Sequence, residues 1–483
     1  MNFVDKDLLS VQEARILMER AAQAKEALAA FPQEKLDRIA AAMLEAARER
    51  LSQLARLSAE ETSYGNWRDK YIKDRFVCEA LETRLAGRRF VGVLEEDPGA
   101  GIARIGVSLG VIVAPMPAFG PVAAVISAAV LAVKSGNAIV FSPHPRAERT
   151  TLTAVEILAQ AAFAAGLPEG AMACPDTAAR EGAAQMMSHP AASLVLATGA
   201  PEMLEEARRS GKPVIFGGTG PSPVFIERSA DVKQAAEDIL CSRSFDCGTA
   251  AASEQYVVVD AAVAEQAERE MNRLGAHFMS GEEEEMLIRL LCGVSGHIDP
   301  EYMGKPAIWL AKRAGFGVPE GTRVLVSRQK YVSDHNPYAE AMNCPVMVFY
   351  IEPDWTMACM MIPLITCLCI ILISSHSLTP MATAIITIAT IHIPSSQITA
   401  GTIHLAAIMI GQFAAKKPVG RILVNTPAVF GAMGATTNLF PAVHLGAASA
   451  GLGITADNVS PMNLVYLRSV AFGVRRAPVE TGK

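Results

Sequence analysis

The sequence predicts an α/β protein built around parallel sheet. Three observations carry that prediction: short apolar runs at 106–115, 137–142, 192–197 and 213–216, helical stretches between them at 120–134, 149–165 and 201–210, and Gly or Pro at the junctions. Strands alternating with helices of roughly ten to fifteen residues form βαβ units and therefore a parallel sheet. A second α/β region starts near Asp231. It has a helix to about residue 241, a strand at 255–260, a helix of alternating charge that faces solvent, and further strands at 346–351 and 421–424.

The first ninety residues read as helices. Ser10 and Glu13 have capping-box spacing, and 11–30 carries apolar residues at helical period. Pro32 breaks that pattern, and a second helix runs from about 34 to 57. Both are expected to be surface helices packing an Ala/Leu stripe inward.

A chain of 483 residues accommodates two or three domains. Its 51% hydrophobic and 19% charged content excludes disorder for most of the length. A net charge of -6 argues against a nucleic-acid partner. The nine cysteines are too sparse for a disulfide scaffold; Cys367 and Cys369 make only a CxC, so no metal site is expected. No secretory signal opens the chain, which makes the cytoplasm the default location.

One stretch departs from this texture. Between Asp354 and Lys416 there is no Asp, Glu, Lys or Arg. A soluble α/β protein should show amphipathic helices there, so the leading expectation is an aberrant segment such as a frame-shifted read, with a buried interface or a membrane contact as alternatives. Residues 357–373 are mostly apolar but sit at the lower length limit for a span, contain Pro363 and lack flanking Lys or Arg, so no membrane partner is expected.

Parallel sheets place ligands beyond the carboxyl ends of their strands, which singles out the loops 115–121, 143–146, 198–201 and 217–223. Ser142-Pro143-His144-Pro145-Arg146 joins a strand to a helix, a geometry suited to a ribose or phosphate and equally to a plain turn in which His144 satisfies backbone groups. Gly217-Gly218-Thr219-Gly220-Pro221 is Gly-rich without being the GxGxxG fingerprint, and a plain turn accounts for it. Cys247, in the small-residue loop 244–255, has two readings. It is a nucleophile in a crevice, or an inert core cysteine, since no Lys or His lies nearby in sequence to lower its pKa.

At these loops the chain resembles the CoA-acylating aldehyde dehydrogenases of the aldehyde dehydrogenase superfamily, over residues 1–353 and again from about 413 to the end. The matching segments are the opening MNFVDKDLLSVQEAR, GNAIVFSPHPRA at 136–147, ATGAPEM at 197–203, SGKPVIFGGTGPSPVFIERSADV at 210–232, SFDCGTAAASEQ at 244–255, KKPVGRILVNTPA at 416–428, and TTNLFP with ADNVSPMNL near the end. The resemblance implies a Rossmann-type cofactor domain with N-terminal helices over 1–230 and an α/β catalytic domain over 231–425. Residues 426–483 would return to the cofactor domain and complete a short oligomerisation element, in a homodimer or homotetramer. It implies NAD or NADP as cofactor and coenzyme A as co-substrate, with Ser142, Pro143, His144, Pro145, Thr198, Gly199, Gly218 and Gly220 lining the dinucleotide. The implied reaction begins with a cysteine thiolate adding to a small aldehyde such as acetaldehyde, propionaldehyde or succinate semialdehyde. Hydride then passes to the nicotinamide, and coenzyme A takes the acyl group.

Three positions depart from the family pattern. Its loop reads Phe-Asp-Asn-Gly-Thr-x-Cys-Ala-Ser-Glu-Gln; the cysteine position is Ala251 here, and Cys247 stands at the Asn. Its Thr-Asn-Pro is Phe119-Gly120-Pro121, so the amide that holds the oxyanion is replaced by Gly120. Loss of one such donor costs about 2.7–4 kcal/mol in the transition state. A ribose-contacting Glu is Ala341, with Glu340 one step away. Two functions follow for testing: a CoA-acylating dehydrogenase using a displaced Cys247, or a non-catalytic relative that keeps nucleotide binding or oligomerisation.

Overall fold

A computed structural model describes residues 5–217, 222–293, 296–331, 337–354, 356–358, 388–392, 410–411, 415, 419–447 and 453–475. Three helices open the chain: α1 (Lys6–Leu28), α2 (Gln33–Thr62) and α3 (Trp67–Leu85). α1 is capped by Asp5, whose carboxylate accepts from the Asp7 and Leu8 amides at 3.0 and 3.2 Å. The Ser10–Glu13 capping box is therefore corrected. Ser10 lies buried inside the helix and donates to the Asp7 carbonyl, while Glu13 reaches out to the Thr177 amide and hydroxyl. α1 and α2 bury the expected Ala/Leu stripe, including Ala14, Met18, Leu36 and Ile39. α3 differs in kind: Lys70, Lys73 and Asp74 share its buried face with Val77 and Leu81.

The apolar run 106–115 is not one strand. β1 (Gly92–Asp97) and β2 (Ile102–Ser108) pair antiparallel and stand outside the core, and β3 (Val111–Pro115) begins a different sheet after Gly110. The corner is fixed by Asn137, whose side-chain oxygen accepts from the Gly110 amide at 2.8 Å while its amide donates to Ser135 and to the Leu464 carbonyl at 2.8 Å. After β3 come α4 (Pro121–Lys134), β4 (Ala138–Ser142), α5 (Glu148–Ala164), β5 (Met172–Ala173), α6 (Arg180–Ser188), β6 (Ala192–Thr198), α7 (Leu204–Arg209) and β7 (Val214–Gly217). The five strands form a parallel sheet in the order β5-β4-β3-β6-β7. α4 is buried at every position, which is why only Lys134 at its end is charged and nine of its fourteen residues are Ala or Val. The reversal of strand order between β3 and β6 opens a crevice at their carboxyl ends.

The second sheet starts at β8 (Ser222–Ile226). It continues through α8 (Val232–Ser244), β9 (Glu254–Asp260), α9 (Ala264–Arg273), β10 (Ala276–Phe278), α10 (Gly281–Cys292), α11 (Ala307–Ala314), β11 (Val324–Arg328), β12 (Val346–Glu352), β13 (Ile388–His392) and β14 (Arg421–Val424). Its seven parallel strands run β10-β11-β12-β9-β8-β13-β14. The charge-free stretch thus supplies a strand that sequence reading did not assign: Ile391 pairs with Phe225 on one side and Val424 on the other. Interior parallel strands call for β-branched runs without charge, and Ile388–His392 provides one. The remainder of the two apolar runs, 357–373 and 381–410, lies almost wholly outside the described residues. Among the described residues no helix is long and apolar enough to cross a membrane. α12 (Ala428–Ala432) and β15 (Val465–Ala471) close the chain, β15 joining β2 so that the outer sheet reads β1-β2-β15.

Replacing Asn137 by alanine strands the Gly110 amide and the Leu464 carbonyl in a buried corner. The expected loss is about 2–4 kcal/mol, at roughly 1–3 for each unsatisfied group, read as a lower urea midpoint with an unchanged slope.

Candidate active site

The carboxyl ends of β3 and β6 face the turn that follows α8, and a crevice of about 860 Å³, counting its open mouth, lies between them. Phe119, Gly120, Thr198 and Gly199 line one side, Gly248 to Ser253 with Ala341 and Asn343 the other, and His444 the floor. A second cleft of about 600 Å³ runs along Pro115, Met116 and Ser142 to Pro145, bounded by Arg180 and Glu202. The structure therefore gathers Gly120, Thr198, Gly199 and Ala251 at one crevice and Ser142, Pro143, His144 and Pro145 at its neighbour. Gly218 and Gly220 lie outside the described residues.

The turn after α8 is held from beneath. Asp246, fully buried, receives Lys70 at 2.9 Å and Lys73 at 3.6 Å, accepts from the Asn66 amide at 3.0 Å, and donates its own amide to Asp69 at 2.7 Å. Gly65 must be glycine: its φ is +67° and a β-carbon there would lie 1.9 Å from the Asp246 carboxylate. The chain then passes through left-handed conformations at Asp246, Cys247 and Ala252. Strain of this kind collects at functional turns. Ala251 is exposed into the crevice, so position 251 presents a methyl group to whatever binds.

Cys247 does not line the crevice. It is buried, and desolvation first, then the Asp246 and Asp69 charges, push its thiol up to about 11. A thiol with so little thiolate at neutral pH is a poor nucleophile. Glu340 likewise fails to stand in for the family carboxylate, because its side chain turns away to His297 and to the Ile298 amide. Gln255 fixes that segment by donating to the Tyr338 and Glu340 carbonyls and accepting from the Met342 amide. Ala341 consequently faces the crevice while Glu340 does not.

At the second cleft, His144 caps a short turn, its Nδ1 accepting from the Arg146 amide at 3.0 Å; that leaves the proton on Nε2, 3.7 Å from Glu202. Burial lowers the pKa of His144 and raises that of Glu202, so both are driven toward their neutral forms and the contact is polar rather than ionic at neutral pH. Among the described residues no cluster of three His, Cys, Asp or Glu could hold a metal.

Sequence reading missed four groups: Lys73, Arg243, Asn343 and His444. Lys70, Lys73 and Asp74 do repeat at three and four residues along α3, a pattern that also fits a solvated face, and only burial separates the two. Arg243 is buried and holds the crevice wall through the Val346 carbonyl and the Ser253 hydroxyl. His444 is fixed between the Thr198 hydroxyl at Nδ1 and the Ala124 carbonyl at Nε2, which must therefore carry the proton. Burial lowers its pKa to about 4.

Residues 6–285 match the model of the aldehyde dehydrogenase family, more than half of the chain. The chain is 32% identical over 473 residues to the bifunctional aldehyde-alcohol dehydrogenase of Escherichia coli, covering 96% of this chain and 50% of that protein; it thus spans about half the length of that relative. It is 29% identical to the succinate-semialdehyde dehydrogenase (acetylating) of Clostridium kluyveri, over 69% of this chain and 73% of the relative. The crystal structure of an acetylating aldehyde dehydrogenase from Geobacillus thermoglucosidasius superposes with a TM-score of 0.90 at 32% identity, covering 99% of this chain and all of that one.

A crevice between two parallel sheets, with a strained small-residue turn at its mouth, is the fold and site of an aldehyde dehydrogenase, and the chain belongs to that family. Within it the chain is similar to acylating members, as the match to the acetylating enzyme of Geobacillus thermoglucosidasius shows.

His444 makes a prediction about acid stability. An imidazole kept neutral by the fold but free to protonate when unfolded contributes stability that is complete above its unfolded pKa of 6.5 and is lost as pH falls to about 4. Denaturant midpoints of the wild type should therefore fall more steeply over that interval than those of His444→Asn. The difference should be roughly 2–4 kcal/mol, at about 1.4 for each pKa unit.

Proposed function

We propose that this chain binds NAD or NADP, coenzyme A and a small aldehyde as its relatives' chemistry requires, but lacks the sulfur that would carry the acyl group. The observation that supports this is Ala251, exposed in the crevice at the family's cysteine position. A methyl group cannot form the hemithioacetal from which hydride leaves.

The dinucleotide fits the second cleft. It is roomy, lies at the carboxyl ends of β3 and β4, and offers the Ser142 hydroxyl and neutral His144 among apolar walls. Bound there, the nicotinamide would supply a hydride acceptor. Thr198 and Gly199 border the neighbouring crevice, where Phe119 is held in place by Tyr64 at a ring distance of 4.7 Å. Gly120 brings no side-chain donor to a developing oxyanion, which removes a second catalytic element. The outer sheet leaves Tyr466, Leu467 and Phe472 exposed, which supports self-association as a homodimer or homotetramer.

The deciding assay is CoA-dependent NADH formation from acetaldehyde, propionaldehyde and succinate semialdehyde. The wild type is expected to bind nucleotide without turnover, and Ala251→Cys is expected to gain it. That rate should remain about 10²–10³ below a relative with the oxyanion amide intact, because one donor is worth that much. Wild-type turnover abolished by Cys247→Ala would replace this reading with catalysis by the displaced cysteine.

A further inference from the structure

The crevice that lacks a thiol contains an amine. Lys73 projects from α3 to the start of α4, and a β-carbon on residue 120 would lie 2.4 Å from its Nζ and 3.0 Å from its Cε. The lysine head thus occupies the volume that any side chain at position 120 would need, and Gly120, with φ +97°, leaves that volume to it. Lys73 and Ala251 line the same crevice.

The two lysines of α3 are not equivalent. Lys70 is fully buried and hydrogen-bonded to Asp246 at 2.9 Å, whereas Lys73 meets the same carboxylate at the longer distance of 3.6 Å. One carboxylate is shared by two ammonium groups, and the shorter contact belongs to Lys70. From the geometry of this amine, and resting on the reading of the crevice as an aldehyde site, we propose that Lys73 captures the aldehyde covalently as an imine.

The step balances without a redox partner. The Lys73 ammonium first gives one proton to solvent. The neutral nitrogen then adds to the carbonyl carbon, the carbon–oxygen bond breaks, and the oxygen leaves as water with the two remaining amine protons; nothing is oxidised. Desolvation lowers the pKa of Lys73; Asp246 and Asp74 oppose the shift, and Lys70 reinforces it. Lysines become nucleophilic when desolvated or set beside a second cation, which is the arrangement here.

Borohydride trapping of the full-length wild type with propionaldehyde, followed by peptide mass mapping, tests the idea. The expected product is a gain at Lys73 equal to the aldehyde less one oxygen atom. It should form at aldehyde concentrations that leave Lys70 unmodified and label surface lysines less. Lys73→Arg should lose that adduct, and because the primary reading comes from the wild type, a variant that fails to fold does not decide the matter. Aldehyde binding followed by NMR in the same sample separates the two readings. An aldehyde that binds yet leaves Lys73 unmodified overturns the imine and spares the binding site, while one that neither binds nor labels overturns both.

Discussion

Asp246 sits where α3, the turn after α8 and the start of α4 converge, and its carboxylate is withdrawn from water completely. Burial of an ionised carboxylate is tolerated only when opposite charge and hydrogen-bond donors surround it. Lys70, Lys73 and the Asn66 amide meet that demand, and in doing so they join the N-terminal helices to the turn that carries residues 247–252. Removal of one partner from such a group typically costs 3–5 kcal/mol. The positive φ of Asp246 and Cys247, the glycine at 65 and the close packing against Gly120 all follow from how this charge is enclosed.

The same arrangement explains why the scaffold depends little on the side chain at position 251. Crevice walls, strand order and turn shape depend on burial and backbone hydrogen bonds, to which the side chain at 251 contributes little because it faces open space. Position 120 is similar, since a residue without a side chain removes a donor but leaves the helix start intact. Residue 251 faces the open crevice, whereas the space beside residue 120 is taken by the Lys73 head.

Burial holds the His444 imidazole in the crevice neutral. His444 is kept uncharged between a hydroxyl and a carbonyl; behind the wall and out of the crevice, Glu254 at the start of β9 is pushed up to about 7 by desolvation while it accepts from the Ala428 amide.

Most of the strand and helix pattern of both parallel sheets was legible in the linear chain, since alternating apolar runs and Ala/Val helices have few other ways to bury themselves. The residue types at 251, 120 and 341, read as departures from the resembled pattern, were also visible, because a residue type is a property of the chain alone. The sequence could not show that 106–115 turns a corner between two sheets, nor that Ile388–His392 enters the second one, because pairing partners lie far along the chain. Nor could it separate Lys73 from a solvated lysine: both have the same spacing on a helix, and the difference lies in what packs against them. Charge, shape and residue identity are local and were fixed by sequence; which charges are stripped of water depends on contacts between distant segments, and only the folded chain decided that.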